Sequence, residues 1–255
     1  MAGSGDRVVL VHGFTQSRAS FGATTTALST AFEVCAVDLP GHGESAEIDG
    51  VDLDRTAELV GAVGGEATYL GYSLGGRVCL TLALARPDLV RRLILVGATA
   101  GIADDSERAA RRVADERLAD RLDPSDGGRG LTIGAFVDEW LAQPLFAHLS
   151  PAQADRASRL VNTPAGLARS LRAVGVGTQT PSHSRLDTLG MPTLLVSGAD
   201  DHKFSAIARE MAAAIGGRAT VALLPGTGHA APFESPEPFV TTVARWLADT
   251  ASQCA

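Results

Sequence analysis

The sequence predicts an α/β protein, with a mostly parallel central sheet flanked by helices and an all-helical insertion. Three observations carry this reading. Six short β-rich runs recur along the chain, each near-continuously apolar, as expected of strands buried on both faces. Helix-like stretches separate most of them, which is the rhythm of a parallel sheet. One interval, residues 101–189, contains helical patterns and no convincing strand.

The six runs are residues 8–11, 34–37, 68–70, 93–96, 193–196 and 220–224. Residues 75–85 and 205–215 are among the helical stretches between them. Inside the interval, "SERAARRVADERLADRL" is helical in composition, with Glu107 four residues before Arg111. "IGAFVDEWLAQPLF", "SPAQADRASRLV" and "TPAGLARSLRAV" read as further helices. Ser150 before Pro151 and Thr163 before Pro164 each pair an N-cap with a first-turn proline. Residues 1–100 and 190–255 are therefore expected to form the sheet-bearing core, and residues 101–189 a helical lid inserted between two of its strands.

Composition limits the function classes. Hydrophobic residues make up 45% and charged residues 20%, an ordinary globular balance over 255 residues, enough for one α/β domain. A net charge of −7 argues against a nucleic-acid partner. Lys203 is the only lysine, so nearly all cationic side chains are arginines, which grip carboxylates bidentately. Cys35, Cys79 and Cys254 are widely spaced and show no metal-ligand pattern, which fits a reducing compartment. The N-terminal stretch has no signal-peptide pattern, and no apolar run approaches membrane-spanning length. A cytoplasmic protein without a membrane partner is expected. No cofactor is expected either: there is no dinucleotide fingerprint, and "GHGES" lacks the lysine of a phosphate loop.

The chemistry centres on "LGYSLGGRV". A strand ends near Leu70 and a helix starts near Leu74, so Ser73 sits in a sharp strand-to-helix turn. Gly71 and Gly75 leave room for the close approach such a turn needs. A serine hydroxyl requires a base, and His229 in "LPGTGHAAPFESP" follows the last strand. An orienting acid is expected after the preceding strand, where "LLVSGADDHKF" offers Asp200 and Asp201. The chain order Ser, Asp, His is that of a nucleophile-elbow triad. After the first strand, "VVLVHGF" places the Phe14 N–H where, with that of Leu74, it faces one substrate oxygen. His12 is read as a structural residue of that loop.

These motifs resemble the α/β-hydrolase fold. More narrowly, the chain resembles the 2-succinyl-6-hydroxy-2,4-cyclohexadiene-1-carboxylate synthase family of menaquinone biosynthesis. "HGF", "DLPGHGES" and "GYSLGGR" carry part of the resemblance. "GATAGIADDSERAARRVADE", "FVDEWLAQPLF", "LARSLRAVGVGTQ" and "GADDHKF" carry the more specific part. From the resemblance, the fold's usual N-terminal hairpin is expected to be missing or reduced. The resemblance implies a lyase that removes a proton alpha to a succinyl ketone and expels pyruvate. It places the acid at Asp201, two residues before the Lys-Phe pair, with Asp200 as the fallback. It also implies that Tyr72, Arg77, Arg111, Trp140 and Arg159 bind a small polycarboxylate substrate. Arg111 has a competing reading as a surface partner of Glu107, and Trp140 as part of the lid core. Two other functions stay open: a carboxylester hydrolase with a Ser73 acyl-enzyme, and a non-catalytic small-molecule receptor.

Overall fold

The computed structural model describes residues 1–124 and 127–251. Cys254 lies outside the described residues. Six strands form one parallel sheet: β1 (Arg7–Val11), β2 (Glu33–Val37), β3 (Ala67–Tyr72), β4 (Val90–Val96), β5 (Thr193–Gly198) and β6 (Ala219–Leu224). Their spatial order is β2-β1-β3-β4-β5-β6, and every neighbouring pair is parallel. All six expected strands are present, each longer than its expected run by one to three residues. An isolated antiparallel bridge between Ala2 and Val34 lies beside β2.

The helices are α1 (Gly22–Leu28), α2 (Leu53–Gly64), α3 (Leu74–Ala85), α4 (Asp105–Leu122), α5 (Ile133–Leu141), α6 (Pro151–Ala154), α7 (Arg156–Arg159), α8 (Pro164–Val174), α9 (His202–Ile215), α10 (Ala231–Glu234) and α11 (Pro236–Asp249). Alternate strand residues point to opposite faces and feed two cores. Val9, Val11, Tyr69, Leu93 and Leu195 pack with residues of α2, α3 and α9. Val8, Leu10, Leu70, Ile94 and Val196 pack with residues of α1 and α11. This two-sided burial is why the strand sequences lack polar alternation. Each fully buried aliphatic side chain contributes about 1.5–3 kcal/mol.

α4 to α8 all fall between β4 and β5, and no strand interrupts them among the described residues. A third core joins Ala119 and Leu122 of α4, Phe136 of α5, and Leu167, Ala168 and Leu171 of α8. Arg172 of α8 adds bonds to Glu116 and Asp120 of α4 at 2.8 and 2.7 Å. Ser150 and Thr163 cap α6 and α8, accepting from the N–H groups of Gln153 and Gly166. Two expectations need correction here. "SPAQADRASRLV" forms two short helices, because Asp155 takes a left-handed φ of 44° between them. Arg111 pairs with Asp115 at 2.8 Å, one turn onward, and not with Glu107. The Glu107 N–H is instead capped by Asp104 at 2.8 Å.

Because the sheet is parallel, the carboxyl ends of all six strands share one edge. The chain leaves β1 for β2 on one side and returns to β3 on the other. The crevice between the ends of β1 and β3 is therefore the topological switch point, where open α/β sheets place ligands.

Candidate active site

Ser73 follows the last residue of β3 and immediately precedes α3. Its backbone takes φ 52° and ψ −108°, a strained conformation for a side chain with a Cβ. The turn is held by the Ser73 N–H, which donates to the Val96 carbonyl at 2.8 Å. It is permitted by two glycines: a Cβ on Gly71 would come 2.3 Å from the Gly75 carbonyl oxygen, and one on Gly75 2.0 Å from that of Val11. No larger residue fits either place, so strand and helix can only meet this closely through glycine.

His229 lies beyond β6, and Asp201 beyond β5. The His229 Nδ1–H donates to Asp201 Oδ2 at 2.8 Å, and Nε2 faces the Ser73 hydroxyl at 3.4 Å. Asp201 is also the N-cap of α9, accepting from the Phe204 N–H at 3.1 Å. Burial works to raise the Asp201 carboxyl. The hydrogen bonds from His229 and Phe204, with the nearby His229 and Lys203 charges, outweigh burial and hold it below the ordinary carboxylate value. Asp200 is exposed, and its N–H donates to the Thr227 carbonyl. The geometry thus favours Asp201.

One residue outside the sequence expectations, Glu234, braces the backbone around His229. The Glu234 carboxylate accepts from the Gly228 N–H and, at 2.8 Å, from the Ala230 N–H, on both sides of His229. A carboxylate five residues after a candidate histidine was the available signal, but only the fold of α10 shows that it turns back.

Phe14 and Leu74 both line a cavity of about 210 Å³ that Ser73 and His229 also face. Neither backbone N–H has an acceptor among the described residues. His12 is fully buried in the loop before Phe14, its Nδ1–H donating to the Gly13 carbonyl and its Nε2 accepting from the Leu39 N–H at 3.0 Å. Burial pushes its pKa down to about 4, which keeps the ring neutral and structural.

Arg77, one turn along α3 from Ser73, lines the cavity and is buried. Its guanidinium donates to the Val174 carbonyl at 2.7 Å and the Gln179 side-chain oxygen at 3.1 Å, and forms no ion pair within 4 Å among the described residues. Burial and the neighbouring Arg111 lower its pKa to about 10, with Asp115 opposing them. Arg111 and Trp140 line the same cavity, as does Lys203. Trp140 also packs on the helical core, and its indole nitrogen is buried without a partner.

The structure does not place the other two expected residues on this wall. Tyr72 alternates to the opposite face of β3 and packs against Phe233 and His229, with ring centroids 5.4 and 5.6 Å away. The Arg159 guanidinium is spent elsewhere, on the Ala154 carbonyl at 2.9 Å and the Thr15 hydroxyl.

A family model described as the alpha/beta hydrolase family matches residues 8–242. The chain is 31% identical over 248 residues to the 2-succinyl-6-hydroxy-2,4-cyclohexadiene-1-carboxylate synthase of Klebsiella pneumoniae, covering 94% of this chain and 93% of that protein. It is 34% identical over 218 residues to the synthase of Salmonella typhimurium, covering 83% and 82%. Among solved structures it is similar to MenH from S. aureus, with a TM-score of 0.88, 28% identity, and coverage of 98% of this chain and 97% of that one. It is also similar to a thermophilic esterase from Thermogutta terrifontis solved with malate bound, at TM-score 0.78, 26% identity, and 97% and 91% coverage. With its parallel sheet, its elbow serine and these matches over most of its length, the chain belongs to the alpha/beta hydrolase family and, within it, to the 2-succinyl-6-hydroxy-2,4-cyclohexadiene-1-carboxylate synthase family.

Proposed function

We propose that this protein eliminates pyruvate from 2-succinyl-5-enolpyruvyl-6-hydroxy-3-cyclohexene-1-carboxylate to give 2-succinyl-6-hydroxy-2,4-cyclohexadiene-1-carboxylate. The observation that supports it is the buried Arg77 at the cavity beside Ser73: among the described residues its guanidinium is bonded only to the neutral oxygens of Val174 and Gln179, with Asp115 near but not bonded to it. A buried cation with no directly bonded counter-ion is costly, and a ligand carboxylate that bonds to it offsets that cost. A substrate with three carboxylates supplies one, and a neutral ester does not.

In this reading His229 Nε2 takes the proton from Ser73 Oγ, and the 3.4 Å gap closes when substrate arrives. The Ser73 oxygen then removes the C2 proton, alpha to the succinyl ketone. The released electron pair forms the C2–C3 double bond, the C3–C4 double bond shifts to C4–C5, and the C5–oxygen bond breaks. The leaving enolate of pyruvate takes up the proton that His229 carries, which returns the imidazole to its neutral form. The Phe14 and Leu74 N–H groups stabilise the negative charge that develops on the ketone oxygen. Asp201 holds His229 with Nδ1 protonated, so that Nε2 is the free base.

Arg77 and Arg111 are the proposed carboxylate anchors. Asp115 neutralises part of the Arg111 charge, which leaves Arg77 as the stronger of the two. Residues 101–189 act as the lid that brings Arg111 and Trp140 over the reacting centre. A cytoplasmic location is supported by two buried free thiols, Cys35 and Cys79. Among the described residues no helix is long and apolar enough to cross a membrane.

Carboxylester hydrolysis is the second reading, favoured by the complete triad and by the likeness to an esterase structure. Two assays separate them. The lyase reading expects rapid pyruvate release from the succinyl enolpyruvyl substrate, followed with lactate dehydrogenase and NADH, and slow turnover of p-nitrophenyl acetate. Fast ester turnover with no pyruvate would reverse it. A Ser73→Ala variant that kept full activity in cells would instead favour a non-catalytic receptor.

A further inference from the structure

The residues around Thr15 suggest that the helical insertion does more than cover the cavity. Thr15 directly follows Phe14 and has a φ of 68°. A β-branched residue seldom takes this left-handed conformation, so the surrounding structure must hold it there. Both of its polar groups are held from the insertion. The Arg159 guanidinium donates to the Thr15 hydroxyl, and the Asn162 side-chain NH2 donates to the Thr15 carbonyl at 2.7 Å.

Asn162 is itself buried and fixed by three further bonds, the longest a 3.5 Å contact from its NH2 to the Gln16 carbonyl. Its NH2 donates to the Arg159 carbonyl at 3.0 Å, and its Oδ1 accepts from the Gly43 N–H at 2.9 Å. Turning the amide over would set its oxygen against these carbonyls, so only one orientation is stable. The Phe14 ring is gripped from the same insertion, with Trp140 and Phe136 at centroid distances of 5.0 and 6.2 Å.

We propose that Asn162 is a positioning residue for the oxyanion hole: its carboxamide, with Arg159, holds Thr15 in a strained turn and thereby aims the Phe14 N–H at the developing oxyanion. This rests on the reading of the Phe14 amide as an oxyanion donor. Without the clamp, Thr15 relaxes towards negative φ and the Phe14 amide swings away from that of Leu74. The loss falls on the transition state and leaves substrate binding almost untouched.

The test is Asn162→Ala, assayed by pyruvate release and by amide NMR. Losing one oxyanion donor outright costs roughly 100- to 1,000-fold in kcat, so its displacement is expected to cost roughly 10- to 100-fold, with KM changed less than about threefold. The Phe14 amide resonance should shift while that of Leu74 stays in place. Glycine accepts positive φ unaided, so in a Thr15→Gly background the same substitution should cost at least about threefold less in kcat. A raised KM with unchanged kcat, or the same cost in both backgrounds, would overturn the proposal. If Asn162→Ala shows no cooperative thermal transition, Asn162→Asp keeps the acceptor for Gly43 but removes the donor to Thr15, and the same fall in kcat is expected. Should the wild type release no pyruvate, the lyase reading fails, and the same cycle read on p-nitrophenyl acetate still decides the clamp, because the hole serves either reaction.

Discussion

At the scale of single residues, the triad assigns unequal work to two adjacent aspartates. Asp201 both caps α9 and orients His229, whereas Asp200 points to solvent. Asp201→Asn is therefore expected to lower kcat by roughly 1,000-fold or more, through loss of the correct imidazole tautomer. Asp200→Asn, at an exposed position, should change it less than about threefold. Steady-state rates of the two variants check this, and the reverse order would move the acid. Arg77→Ala should raise KM for the tricarboxylate roughly 10- to 100-fold, matching a charge-assisted bond of about 1.5–3 kcal/mol, with a smaller effect on ester turnover. Ser73 and His229 were legible in the sequence because a serine between glycines and a histidine in a turn each follow an apolar run. The choice between Asp200 and Asp201 needed either the family motif or the hydrogen bond. The bonds of Arg159 were not legible, because the motif gives a residue's place in the chain, while its guanidinium direction depends on Thr15, 144 positions away.

At the scale of elements, the elbow depends on the contact between β1 and α3. Gly75→Ala would drive a methyl group into the Val11 carbonyl, 2.0 Å from the ideal Cβ. The expected loss is about 3 kcal/mol of stability by urea unfolding, since neither β1 nor α3 can retreat without moving Ser73. An unchanged midpoint would mean that the turn has slack the structure does not show. Most strands and long helices were legible because their periodicity is strong. α9 starts three residues before the expected position 205, because the Asp201 side chain caps its first turn. The break at Asp155 was not legible, because nothing local distinguishes an aspartate that continues a helix from one that turns left-handed.

At the scale of the whole molecule, two buried histidines tie stability to pH. Burial lowers the pKa of His12 to about 4 and that of His42 to about 3, from an ordinary 6.5. The unfolded chain binds these protons below about pH 6.5 and the folded chain does not. The stabilisation is therefore complete above 6.5 and is lost as pH falls towards 4 and then 3. Between pH 7 and pH 5 each histidine should remove about 2 kcal/mol, or about 4 kcal/mol for both. Urea unfolding at the two pH values measures it, and a flat profile would show that the rings are solvated. Asp201 acts in the same direction, but only below its ordinary value of 3.8. The parallel sheet and its helical insertion were legible from the order of elements. The strand order was not, because it is set by which faces pair in three dimensions.

The central claim is that an esterase-like triad, roofed by an arginine-bearing insertion, performs an elimination. Its most direct measurement is the rate of pyruvate release by the wild type and by Ser73→Ala and Arg77→Ala, with p-nitrophenyl acetate hydrolysis run in parallel. Fast pyruvate release is expected of the wild type; it should vanish with Ser73→Ala and need far more substrate with Arg77→Ala, beside slow ester turnover. Rapid ester hydrolysis that is indifferent to Arg77, with no pyruvate released, would contradict it.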